Sequence, residues 1–271
     1  MSLQSLIVLF PGAVSLMCLL TFAFPKSGNA YFRKMKRFIA LIAFFFLCAA
    51  FSFNLESKLM LHFVLLEQVG GLALIPCFLS FIKEYEQDAS RGLFYRISCM
   101  LPMIHLVIGI ESVYVAEFEN SVRIYLESLT FNGPMFPYLA NNGQIVFYAC
   151  YTYMFKAFIL FNFLLFALSM MKFTVSRYNL KDVVSFLLKD GECNPVAVLY
   201  FLSLVMFMIV VPVLILGKSC YNGKLMITVI ASLVLVYVVF VISLVGAAGL
   251  AGKQTFKDIL RTALKRPSRN K

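Results

Sequence analysis

The sequence predicts an all-α membrane protein, a seven-transmembrane helix bundle with the N-terminus out and the C-terminus in. Three observations lead there. The chain of 271 residues is 61% hydrophobic and only 14% charged, whereas a soluble domain is usually about 45–50% apolar and about 25% charged. Seven apolar runs are long enough, or nearly so, to cross roughly 30 Å of hydrocarbon as helices. The lysines and arginines between the runs fall on alternate connections, as the positive-inside rule requires. The runs are continuously apolar rather than alternating, which sets aside an outer-membrane barrel. Residues 1–251 form one membrane domain and residues 252–271 a basic tail. The polar connections are too short for a separate folded core.

The first run covers residues 5–24. No Lys or Arg precedes it and a positive cluster follows it, the reverse of a signal peptide, so it reads as a retained helix. The second run, 38–53, is the shortest. Five residues, 54–58, separate it from the third run, 59–82. A re-entrant or partly buried helix is the alternative for 38–53, and residues borrowed from Met35 or Asn54 would lengthen it enough to span. The fourth run is 97–116. The connection 117–143 is long, and Val122, Ile124, Tyr125, Leu126 and Leu129 predict a short surface helix or strand before a turn at Asn132-Gly133-Pro134. The fifth run is 145–171. After it, Val183, Val184, Phe186, Leu187 and Leu188 suggest an interfacial helix, with Gly191 as its stop. The sixth and seventh runs are 195–217 and 225–251.

With the N-terminus out, nineteen of the 24 Lys and Arg residues lie on the pieces 25–37, 83–96, 172–194 and 252–271, facing the cytoplasm. Four lie on outer pieces, and Lys156 is inside the fifth run. Removing one helix would scramble this alternation. Topology therefore explains the formal charge of +11, and direct nucleic-acid binding by this chain is not expected. In the tail, Phe256, Ile259, Leu260, Ala263 and Leu264 share one helical face. Lys257, Arg261 and Lys265 recur every four residues on the other side, with Arg266 beside them. Such a helix fits the anionic lipids of the inner leaflet. Its rival is a linker that feeds a partner or a further domain.

An ionisable group within hydrocarbon is costly and needs a reason. Four candidates stand out as ligand-binding residues: Glu67, His105, Glu111 and Lys156. On the expected topology Glu67 and Glu111 lie in the outer half, with His105 and Lys156 near mid-depth. Lys156 could extend toward Glu67 or Glu111. The functional reading is an outward-opening polar cavity for a small ligand. The structural reading is an ion pair that fixes helix register. His62, near the outer end of the third run, reads as an interface residue.

No catalytic residue, cofactor or metal site is expected. GxSxG, HExxH, Walker and GxGxxG signatures are absent from the sequence. Seven cysteines occur without a CxxC, five of them within apolar runs, so they read as small hydrophobes. Lys224 and Lys253 flank the last run and no lysine lies within it, which disfavours a retinal Schiff base. Gly70-Gly71 and Gly246-Ala247-Ala248-Gly249 read as close helix–helix contacts.

Three stretches carry a resemblance. They are Leu74-Ile75-Pro76-Cys77-Phe78-Leu79-Ser80-Phe81-Ile82-Lys83, Met100-Leu101-Pro102-Met103-Ile104-His105, and Gly249-Leu250-Ala251-Gly252-Lys253-Gln254-Thr255-Phe256. Together they resemble the seven-span membrane region of Bacteroidetes-type AraC-family transcriptional regulators. In that family an N-out bundle precedes a cytoplasmic helix-turn-helix domain; this sequence ends at Lys271, where that domain would start, and reads either as a truncated member lacking it or as a membrane module that acts alone. The resemblance implies a sensory module and supplies no ligand residues. The expected function is a membrane sensor or receptor that passes a signal to the cytoplasm, toward transcriptional regulation. A small-molecule transporter or transporter accessory subunit is the alternative. The expected partners are the bilayer, anionic inner-leaflet lipids, a cytoplasmic or DNA-binding protein, and a second copy of the chain. The expected location is the cytoplasmic membrane.

Overall fold

The computed structural model describes residues 3–21, 30–53, 59–85, 93–130 and 135–177. All regular structure among them is helical. In lipid no water is available to pair with backbone polar groups, so a helix that satisfies them internally is the natural state of these apolar runs. Helix α1 spans Leu3–Thr21, α2 Ala30–Ser52, α3 Met60–Tyr85, α4 Leu93–Val115 and α5 Phe118–Thr130. A short 3-10 turn, Phe136–Tyr138, leads into α6, Asn142–Tyr148. A π-helical segment, Ala149–Met154, joins α6 without interruption to α7, Phe155–Arg177.

Among the described residues four helices are long and apolar enough to cross a membrane: Arg33–Ser52, Met60–Ser80, Leu93–Val115 and Asn142–Leu168. The apolar part of α1, Ser5–Leu20, is shorter. The shortest of the five expected runs in this region therefore becomes a full-length helix. It gains its length at the N-terminal end, where Ala30–Arg37 continues the coil. The connection expected to hold a helix or strand holds a helix, α5. The sixth and seventh runs, the interfacial segment 176–191 except its first two residues, and the tail residues Lys257, Arg261, Lys265 and Arg266 lie outside the described residues.

Helix α3 is central and packs on α2, α4 and α7. Pairs such as Phe38–Phe78 and Phe51–Phe63, at 5.3 and 4.8 Å between ring centroids, set α2 antiparallel to α3. Gly70 and Gly71 let α3 approach α2, because a methyl at either would already touch Phe45. The small-residue pair thus marks a helix contact. Gly109 of α4 faces Leu65 of α3 in the same way.

Two apolar clusters result. One joins α1, α2, the second half of α3 and Phe166 of α7. The other joins the first turns of α3 to α5, α6 and the π segment. Ile124, Tyr125 and Leu129 bury one face of α5 in the second cluster. The chain turns from α4 into α5 at Glu117, whose φ of 62° lies in the left-handed region. Its carbonyl accepts from the Ser121 amide at 2.9 Å, and its carboxylate from Asn120 Nδ2 at 2.9 Å. Asn141 caps α6 by accepting from the Gln144 amide, and Gln144 Oε1 accepts from the Ala140 amide. This is a reciprocal cap of the kind that starts helices. A methyl on Gly143 would lie 2.4 Å from the Val115 carbonyl oxygen, so the start of α6 is pinned against the end of α4.

Candidate functional site: a buried polar belt

Proline lacks an N–H, so each proline inside a helix strips the carbonyl four residues earlier of its donor. Pro76 in α3 does this to Leu72, and Pro102 in α4 does it to Ser98. A carbonyl left bare in an apolar interior costs roughly 1–3 kcal/mol. Asn162, on α7 and fully buried, reaches both of these proline-containing helices. Its Nδ2 donates to the Leu72 carbonyl at 3.1 Å, and its Oδ1 accepts from the Ser98 hydroxyl at 2.5 Å. One amide therefore repairs α3 and clasps α4.

A second set of bonds lies one turn away on α3. The π-helical segment widens one turn of the rod and displaces its carbonyls from α-helical register. Gln68 Nε2 donates to the carbonyl of Tyr151, within that segment, at 3.0 Å. A carbonyl can only accept, so the Gln68 amide orientation is determined, and Oε1 faces His105. His105 Nε2 lies 2.8 Å from that oxygen and must carry the proton. The ring is therefore tied in one tautomer, with Nδ1 as an acceptor. His105 is fully buried, beside the rings of Phe155 and Phe158, at 5.7 and 6.1 Å between centroids. Its Nδ1 has no hydrogen-bond partner among the described residues.

Glu67 precedes Gln68 and serves a different helix pair. The Ser52 hydroxyl of α2 lies 2.6 Å from Glu67 Oε2 and 2.8 Å from the Ala49 carbonyl. The belt thus runs from Ser52 and Glu67, through Gln68 and His105, to Ser98 and Asn162, and among the described residues touches every long helix except α1.

Of the four residues expected to bind a ligand, Glu67 and His105 fall on this belt. Lys156 is half-buried, two residues beyond the π segment. Glu111 is exposed on α4, on the surface of the described bundle. His62, expected at an interface, is exposed and lies 5.7 Å from the Phe118 ring of α5. Among the described residues Cys48 and Cys150 are buried, and Cys18, Cys77 and Cys99 are partly so; all five are free thiols. No grouping of three metal-ligating side chains occurs among the described residues.

No family model, curated protein or solved structure matches this chain.

The reading of its function rests on the belt. Gln68, Ser98, Asn162 and Ser52 are not among the residues the sequence singles out, because the cost of charge in hydrocarbon points only to ionisable groups. The signal was present: an amide between Phe161 and Phe163 in an apolar run needs a partner as much as a charge does.

Proposed function

We propose that the chain is a sensory or receptor-like membrane module with seven spans, N-terminus out and C-terminus in, in the cytoplasmic membrane. It passes a signal to the cytoplasm, toward transcriptional regulation. The observation that carries this reading is Asn162 bonded at once to the Leu72 carbonyl that Pro76 frees on α3 and to the Ser98 hydroxyl on α4. Regular main-chain bonds within a helix are not readily exchanged. Bonds from a side chain to a freed carbonyl are exchangeable, so they give the bundle a second arrangement at small cost. A ligand that favours one arrangement shifts the helices. The alternation of positive charge supports the orientation, and the three family-like stretches support the regulatory role.

The transporter alternative needs freed carbonyls that face a permeation path. Here the freed Leu72 carbonyl accepts from Asn162, which favours the receptor. The test is a thermal-shift screen of the purified protein with small molecules, beside solute flux in proteoliposomes. The receptor reading expects a ligand-dependent rise in Tm that Asn162→Leu weakens, with flux no greater than in empty vesicles. Saturable solute flux would overturn it.

A further inference from the structure

We propose that His105 Nδ1 is the recognition point for an uncharged, membrane-soluble molecule that carries one hydroxyl on an apolar or aromatic body. This inference rests on the receptor reading and deepens it by naming the ligand's chemistry.

The bond chain from the Tyr151 carbonyl through Gln68 leaves His105 Nδ1 with a lone pair and no proton. It is the one buried side-chain nitrogen or oxygen without a hydrogen-bond partner among the described residues. Such an atom calls for a donor. Water is the smallest donor, but a buried water needs two to four polar partners, and one orphan atom does not meet that need. An ammonium would bring a full charge against two phenyl rings and a neutral imidazole, with no carboxylate bonded to that imidazole, and burying an uncompensated charge is costly. A single hydroxyl satisfies the lone pair and brings no charge. Phe155 and Phe158 beside the imidazole suit an apolar or aromatic remainder. Both rings are only half-buried, so the seam between α4 and α7 is the route by which a molecule dissolved in lipid reaches His105.

The chain contains two histidines, His62 and His105, so nitrogen-15 labelling of histidine gives spectra that a His62→Gln variant assigns. The full chain in nanodiscs is titrated with phenol and, separately, with toluene, which has similar shape and no donor. Before titration, His105 shows a protonated Nε2 and an Nδ1 whose lone pair is unbonded. Phenol moves the Nδ1 resonance saturably and leaves Nε2 protonated. It binds about tenfold more tightly than toluene, the worth of one buried hydrogen bond. His105→Phe removes the preference for phenol. That variant could misfold, but the unmodified protein decides the matter alone. An Nδ1 already hydrogen-bonded before any addition, a proton on Nδ1, or equal responses to phenol and toluene would each overturn the assignment. Flux in proteoliposomes tests the receptor reading separately, so a failure here and absent flux would remove the ligand class and leave the receptor.

Discussion

At the scale of single residues, the belt turns on two amides, Asn162 and Gln68. Asn162 makes two bonds to two other helices, and its replacement by Leu keeps the volume and removes both. The Leu72 carbonyl and the Ser98 hydroxyl then lose their partner in hydrocarbon. Polar contacts between membrane helices average well under 1 kcal/mol in measured cycles, because the unfolded chain in lipid also finds partners. A carbonyl freed by proline has no such ready substitute, and Asn162→Leu is expected to cost about 2 kcal/mol. Thermal or denaturant unfolding in detergent measures it. Gln68→Leu should cost a similar amount, about 1–2 kcal/mol, because it strands the His105 Nε2–H and removes a bond to the Tyr151 carbonyl. Its distinguishing sign is spectroscopic: the imidazole is no longer held in one tautomer, and the histidine nitrogens report a mixture. Lys156 and Glu111 are outside the set of bonds described for the belt. The sequence pointed to all four ionisable groups by the same argument of cost. That argument finds expensive residues and does not say which neighbour relieves them.

At the scale of elements, Pro76 and the side chain that covers its freed carbonyl, Asn162, form a coupled pair. Pro76→Ala restores an N–H four residues after Leu72, and that N–H competes with Asn162 for the same carbonyl. In the Pro76→Ala background, Asn162→Leu should therefore cost at least about 1 kcal/mol less than in the natural sequence, a coupling within the range of contacting residues. Equal costs in the two backgrounds would mean that Asn162 acts through Ser98 alone. Helix identity of the long runs in the described region was legible from hydropathy, whereas for α5 the sequence left helix or strand open. The true start of α2 was not legible. Ala30–Arg37 carries Arg33, Lys34, Lys36 and Arg37, which read as a loop on any count of apolar residues. Long basic side chains can run along a helix that continues past the hydrocarbon, so charge marks the edge of the membrane and not the end of the coil. The π segment was equally hidden. Nothing in Ala149–Met154 breaks the apolar pattern, and its partner Gln68 lies 83 residues away. Proline arithmetic names Leu72 as a bare carbonyl from sequence alone, but only the packed structure shows that Asn162, 90 residues on, covers it.

At the scale of the whole molecule, large apolar side chains remain exposed along α1, α4 and α7, among them Phe10, Met103, Val107 and Leu164. In water such a surface would drive aggregation; in a bilayer it meets lipid or further helices. The orientation reading makes a direct prediction. A reporter fused after Lys271 should be active in the cytoplasm, and one placed at the N-terminus should be active outside. The opposite pattern would reverse the assignment of nineteen positive residues to the inner face.

The separation of the interior into two apolar clusters has a dynamic consequence. Each cluster unites its own set of helices, and α3 runs through both, with the polar belt between them. At the join the packing of Phe45 on Gly70 and Gly71 is supplemented by a few replaceable polar bonds. Opening need not be all-or-none: the half built on α5 and α6 can loosen while the half built on α1 and α2 stays closed. Amide hydrogen exchange should then sort the backbone into two groups with distinct protection plateaus, and Asn162→Leu should widen the gap between them.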